Sequence, residues 1–192
     1  MKTLAIDVET YSSTDLLKSG VYKYVEADDF TVLLIACSFD GEEPIVLDIE
    51  SNPYQAYLGH FKDILTDPLV LKTAFNANFE RTCLSKFFDM DLPAEQWECT
   101  MVKASMLGLP LSLDMVSKVL QLSEKKNAAG KALIRYFSCP CKPTKANEGR
   151  TRNLPEHAPD KWQDFIDYCR QDVKTELAIR EKIKFFENNF SH

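Results

Sequence analysis

The stretch Leu4-Ala5-Ile6-Asp7-Val8-Glu9-Thr10 constrains this chain more than any other. Its alternation reads as a β-strand, with Leu4, Ile6 and Val8 on one face and Ala5, Asp7 and Glu9 on the other. Two carboxylates therefore share a face one strand repeat apart, roughly 6.5–7 Å along the backbone. A strand this apolar belongs near the middle of a sheet. Two acids on one face of it repel unless something positive lies between them. Paired divalent cations a few ångströms apart suit that spacing. The competing reading is an exposed edge strand whose acids are simply solvated, and the rest of the chain has to choose.

The choice begins with size and charge. The chain has 192 residues, 45% hydrophobic and 27% charged, enough apolar material for one globular α/β or α+β domain spanning 1–192. Its formal net charge of −6 and pI near 5.2 exclude a non-specific polyanion binder. If such a protein handles nucleic acid, metal ions and a local basic patch must offset the repulsion. Met1-Lys2 runs straight into the strand, so no signal peptide is expected, and the longest apolar run, Val32 to Cys37, is far too short to span a bilayer. A cytoplasmic location is expected. The cysteines (37, 83, 99, 139, 141 and 169) include no Cys-x-x-Cys, and His60, His157 and His192 are not spaced to complete a zinc site. Reduced, mostly buried thiols are the expectation.

Further along, Tyr11 to Asp29 is polar and turn-rich, with room for a short helix. Phe30 to Asp40 is a continuous apolar run ended by Asp40-Gly41, a hairpin signal, and Pro44 to Ile49 reads as the returning strand. Three early strands in this order begin a mixed sheet. Tyr54 to Leu65 has helical periodicity, with Pro53 at its start and Asp67-Pro68 beyond its end. Leu69 to Phe75 reads as a strand and Asn76 to Phe88 as a helix. Cys99–Leu107, Leu111–Leu122 and Ala128–Tyr136 read as three short helices. Residues 138–159 differ: Pro140, Pro143, Pro155 and Pro159 interrupt any periodicity, and Lys142, Lys145, Arg150 and Arg152 make the segment locally basic. A loop this long inside a compact domain is functional or disordered. Asp160 to about Asn188 then reads as one long helix.

That helix carries an anomaly. Trp162, Phe165, Ile166, Cys169, Val173 and Leu177 form its apolar stripe, with Tyr168 at one edge and Asp172 inside. The i, i+4 spacing places phenol and carboxylate on one face. An acid in a core-facing stripe is costly unless it pairs with a cation or binds metal. Glu80, in the first turn of the helix after Asn76-Ala77-Asn78-Phe79, has a bland reading as a partner of the helix dipole, and Asn76 or Asn78 as an N-cap. Taken together, three separated elements present Asp7, Glu9, Glu80 and Asp172. An all-oxygen set without His or Cys suits hard cations such as Mg²⁺ or Mn²⁺. Two such ions clamp the attacking and leaving oxygens of a phosphodiester.

Asp7-x-Glu9-Thr10, Asn76-x-x-Phe79-Glu80 and Tyr168-x-x-x-Asp172, in this order, resemble the three exonuclease motifs of the DEDD superfamily, tyrosine type. Gly20-Val21-Tyr22-Lys23-Tyr24, Leu109-Pro110-Leu111-Ser112-Leu113 and Gly149-Arg150-Thr151-Arg152-Asn153-Leu154-Pro155 look most like the N-terminal proofreading region of family A DNA polymerases of phages and prophages. The resemblance implies a ribonuclease H-like fold, a mixed central sheet flanked by helices. It also implies a metal-dependent 3′-5′ exonuclease that trims single-stranded DNA to nucleoside 5′-monophosphates. Asp7, Glu9 and Asp172 would hold one ion, with Asp7 bridging to a second that Glu80 supports. Tyr168 would orient the attacking water, and Thr10, Asn76 and Phe79 would lie beside the 3′-terminal nucleotide. Tyr11 or Phe79 could stack on an unpaired base.

One position departs from the pattern. The family usually has Asp where this chain has Glu80, and the added methylene moves the carboxylate by roughly 1 Å or more. Magnesium, which demands near-ideal geometry, is the ion this affects most, so a shift toward Mn²⁺ is one expected consequence. The basic run Lys142, Lys145, Arg150 and Arg152 is a candidate grip on the phosphate backbone. Two alternatives stay open: an inactive nucleic-acid-binding domain on the same fold, and a ribonuclease D-like RNA exonuclease. The chain has no room for a polymerase body, so it is either part of a longer protein, with a polymerase domain as partner, or a stand-alone exonuclease. The aromatics of its last segment (Phe185, Phe186, Phe190) favour the former.

Overall fold

The computed structural model describes residues 1–51, 55–122 and 130–190. The expected helix starts at Tyr54 and Ala128, and the terminal His192, lie outside them. Among the described residues the sheet has five strands in the order β3-β2-β1-β4-β5, so the acidic strand is central. β1 (Lys2–Tyr11) pairs antiparallel with β2 (Thr31–Phe39), which pairs antiparallel with β3 (Ile45–Asp48). On its other side β1 runs parallel to β4 (Val70–Ala74), and β4 to β5 (Trp97–Cys99). The β2–β3 turn places Asp40 at φ 51° and Gly41 at φ 82°, the left-handed pair that matches the twist of a tight hairpin.

Helices cover both faces, which is why β1 is apolar on both. Leu4, Ile6 and Val8 enter a core with residues of α1 (Leu16–Val25), α2 (Gln55–Thr66) and α3 (Ala77–Phe88). Ala5 and Tyr11 face the other way, against α6 (Gly130–Phe137) and α7 (Pro159–Phe190). A third cluster joins α4 (Thr100–Met106) and α5 (Leu113–Val119) to Ile179 and Ile183 of α7. Among the described residues no helix is long and apolar enough to cross a membrane. All six cysteines are free.

Three expectations need correction. Cys99 does not open a helix: Trp97–Cys99 is the edge strand β5, too short for a period to show, and α4 starts at Thr100. Leu111–Leu122 shortens to Leu113–Val119, because Ser112 in extended backbone takes the N-cap position and Gln121 is left-handed. Tyr168 is not at the edge of its stripe. It is 1% exposed, because α6 closes over it and its ring stacks on Phe165 with centroids 6.2 Å apart.

Candidate metal centre

The carboxylates meet where one sheet ladder stops. β1 and β4 pair from Lys2↔Val70 to Ala5↔Thr73, after which β4 ends and the chain turns through Phe75 and Asn76 into α3. Asp7 and Glu9 lie just beyond the last paired residue, so the start of α3 and its Glu80 occupy the space a longer β4 would fill. α7 crosses the same end of β1, and the Cys169 thiol reaches Asp7 Oδ2 at 3.4 Å. On the opposite side the β1–β2 register shifts between Glu9 and Thr10, leaving Leu33 as an extra residue. Bulges of this kind re-aim side chains next to sites.

Four acids from three elements are thus brought together in a largely buried setting. Glu80 is 4% exposed, Asp172 6% and Glu9 8%, with Asp7 partly open. Ligand atoms of Asp7, Glu9 and Cys169 lie within 4.8 Å of one another. The local potential is strongly negative. Burial and then the Asp7 charge push the Glu80 carboxyl well above the usual carboxylate range. Burial, with Asp7 and Glu9, pushes the Cys169 thiol well up. The Tyr168 phenol, which donates to Asp172, is raised by burial and by Asp172, Glu9 and Asp7. Glu80 Oε2 is buried without a hydrogen-bond partner among the described residues. A buried set of carboxylate oxygens, one with no donor, fits a divalent cation of the hard, oxygen-preferring kind. Asp7, Glu9, Glu80 and Asp172 are the residues that could hold it.

The other candidates are distributed around this cluster. Thr10 is 4% exposed, and its hydroxyl bonds to the Tyr24 hydroxyl at 2.8 Å, on the face opposite Asp7 and Glu9. Phe79 is half-buried against the Tyr24 ring at 6.2 Å. Asn76 holds the N-cap position of α3, exposed and without a side-chain capping bond. In the basic segment Lys142 and Lys145 are exposed and Arg150 half-buried. Arg152 is committed to structure: it pairs with Glu50 at 2.8 Å and lies 4.4 Å over the Tyr11 ring.

Sequence reasoning missed the layer behind the acids. Glu176 is 3% exposed and accepts from the Thr100 hydroxyl at 2.5 Å, while Arg180 pairs with Glu98. The signal was available: Tyr168, Asp172, Glu176 and Arg180 repeat at i+4 along one helix. Cys169 reads from the sequence as core packing alone, and nothing local marks a thiol as the neighbour of Asp7.

The chain is similar to known proteins in sequence and in fold. A 3′-5′ exonuclease family model matches residues 1–185. The chain is 55% identical over 190 residues to a DNA polymerase of Bacillus phage SP02, covering 97% of this chain and 28% of that polymerase. The chain therefore spans little more than a quarter of that relative's length. Among solved structures, the catalytic core of RRP6 from Trypanosoma brucei aligns with TM-score 0.57 at 17% identity, over 97% of this chain and 42% of that one. NrnC from Brucella melitensis, solved with bound Mg²⁺, aligns with TM-score 0.47 at 14% identity over 99% and 87%. The fold is ribonuclease H-like, and the chain belongs to the 3′-5′ exonuclease family of family A DNA polymerases.

Proposed function

We propose that residues 1–192 form one exonuclease domain that removes nucleotides from the 3′ end of single-stranded DNA as 5′-monophosphates, proofreading for a polymerase domain. The observation that carries this is the convergence of Asp7 and Glu9 from β1, Glu80 from α3 and Asp172 from α7 around the Tyr168–Asp172 hydrogen bond. These four acids would hold two divalent cations, Mg²⁺ or Mn²⁺. When bound, such a pair lowers the pKa of an attacking water and stabilises charge developing at phosphorus.

The chain's own residues do the rest. Tyr168, fixed by Phe165 and Asp172, holds its hydroxyl at the acid cluster, where it orients the attacking water. Asn76 and Phe79, at the exposed start of α3, flank the terminal nucleotide, and Thr10 supports them through Tyr24. Lys142, Lys145 and Arg150 hold the backbone, with Arg152 bracing the loop. The identity to a phage DNA polymerase supports DNA as substrate and a polymerase as the covalent partner.

The test is cleavage of 3′-labelled single strands, DNA beside RNA, with Mg²⁺, Mn²⁺ or EDTA. DNA is degraded from its 3′ end with either ion and not in EDTA. No cleavage with either ion sinks the reading. Asp7→Ala and Asp172→Ala lose at least about a thousandfold in rate with the fold retained, as for removal of core charge-stabilising groups. Glu80→Asp raises the Mg²⁺-supported rate relative to the Mn²⁺-supported one. An unchanged ratio means the local backbone already absorbs the extra methylene.

A further inference from the structure

α7 sets two consecutive side chains against the acid cluster. Tyr168 donates to Asp172, one turn along the same helix. Cys169, the next residue, is fully buried, and its thiol donates to Asp7 Oδ2 at 3.4 Å, with the Asp7 carbonyl oxygen 3.9 Å from the same sulfur. The phenol has a part in the proposed chemistry and the thiol has none. Phe165 and Val173, on the same stripe of α7, are equally buried, but neither side chain can donate a hydrogen bond. Cys169 fills a core position and also meets a carboxylate there.

Asp7 is an acid whose orientation matters to the whole cluster. Its backbone is fixed in the sheet by the ladder to Ala36 of β2. Its side chain lies beyond the last residue of β1 that pairs with β4, and it is partly open. A strand fixes Cα and Cβ, while the carboxylate still turns about its side-chain torsions. The ligand atom of Asp7 lies within 4.8 Å of those of Glu9 and Cys169, and the Asp7 charge acts on the Glu80 carboxyl. A turn of this one carboxylate therefore changes its approach to Glu9 and to Glu80 together.

We propose that Cys169 is a positioning residue: its thiol holds the Asp7 carboxylate in the orientation that binds divalent cations. The proposal rests on the reading of the four acids as a metal centre. Carboxylates that ligate metal are themselves held by hydrogen bonds, and loss of such a partner typically lowers metal affinity or activity about 10- to 100-fold. A thiol suits this place because it packs as a small hydrophobe and still carries a weak donor. Burial, then Asp7 and Glu9, keep the proton on its sulfur. The thiol engages one lone pair of Oδ2, and a carboxylate oxygen has two, so the contact is compatible with a cation on the same carboxylate.

Two variants remove the donor in opposite ways: Cys169→Ala leaves a small space, and Cys169→Val fills it. Cys169→Ser keeps a donor. Titration with Mn²⁺, followed by the paramagnetic resonance of the free ion, reads affinity without turnover, and melting curves in EDTA confirm that each variant is folded. Mn²⁺ affinity falls about tenfold in both Cys169→Ala and Cys169→Val, and Cys169→Ser recovers most of it. On a single-stranded DNA oligomer at sub-saturating Mn²⁺, kcat falls by a similar factor while KM for the strand stays in place. In metal-free protein the infrared S–H stretch of Cys169, isolated as the difference from Cys169→Ala, moves to higher frequency when Asp7→Ala takes the acceptor away. Wild-type protein that takes up no Mn²⁺ overturns the metal centre and the proposal with it. Uptake by the wild type with unchanged affinity in folded Cys169→Ala and Cys169→Val overturns the proposal alone. A loss that Cys169→Ser does not recover assigns the effect to packing and overturns it too.

Discussion

Gly130 shows how one residue controls another across the fold. A Cβ built on it would lie 2.1, 2.6 and 2.8 Å from three ring carbons of Tyr168. Only a glycine lets α6 rest directly on that ring. Gly130→Ala forces the ring or the helix aside, at a cost of roughly 1–3 kcal/mol for overpacking. We expect a lower melting temperature and a lower kcat. In a Tyr168→Phe background the kcat effect of Gly130→Ala should largely vanish, because the hydroxyl it displaces is already gone; a full additive loss in the double variant would show that Gly130 acts elsewhere. The pairing of Tyr168 with Asp172 was legible as i, i+4 spacing. The burial of Tyr168 was not, since it depends on a helix whose contact is set by packing and by the absence of a side chain at position 130.

At the scale of the element, α7 spans 32 residues and changes its task along its length. Its first half packs aromatics against α6, with the Phe137 and Phe165 rings stacked at 5.4 Å. Its middle faces the acids, and its later turns carry Glu176 and Arg180 toward Thr100 and Glu98. Burial raises the Glu176 carboxyl from 4.5 to about 7, with Arg180 and Thr100 opposing the rise. The folded state then binds this proton more tightly than the unfolded chain does. The contribution is fully present below pH 4.5 and is lost as pH rises through 7. Without added metal, unfolding free energy should fall between pH 5 and pH 8 by up to roughly 3 kcal/mol from this group. Glu176→Gln keeps an acceptor for Thr100 and should remove most of that fall; denaturant titrations at the two pH values measure it. Equal pH slopes in both proteins would show that Glu176 is already ionised in the folded state.

For the whole molecule, the folded chain holds its acids close together while the unfolded chain disperses them. Divalent metal should therefore bind the native state selectively and raise its stability by about 2.7 kcal/mol at a hundredfold excess over Kd. For a chain of this size that is on the order of 5–10 °C in melting temperature. Thermal melts in EDTA, Mg²⁺ and Mn²⁺ read it. Asp172→Ala should melt at nearly the same temperature in all three, and a full shift in that variant would place the ions elsewhere.

The sequence alone determined most of the elements and their faces, the short edge strand β5 excepted. β1 was readable as a central strand because its two-residue period and its apolar content are local properties, and the hairpin at Asp40-Gly41 because backbone handedness is local too. The four acids and Tyr168 could be listed as candidates because their places in strand and helix are local, while the roles proposed for them came from the resemblance of the three motifs taken together. Only the tertiary structure decided what surrounds them. β4 stops after Ala74, so α3 can begin beside Asp7; α6 seals Tyr168; Asn147 and Asn153 hold the basic run in a fixed loop. These are long-range contacts, and the energies that matter at the site, burial of charge and repulsion between carboxylates, exist only once folding has removed the water between them.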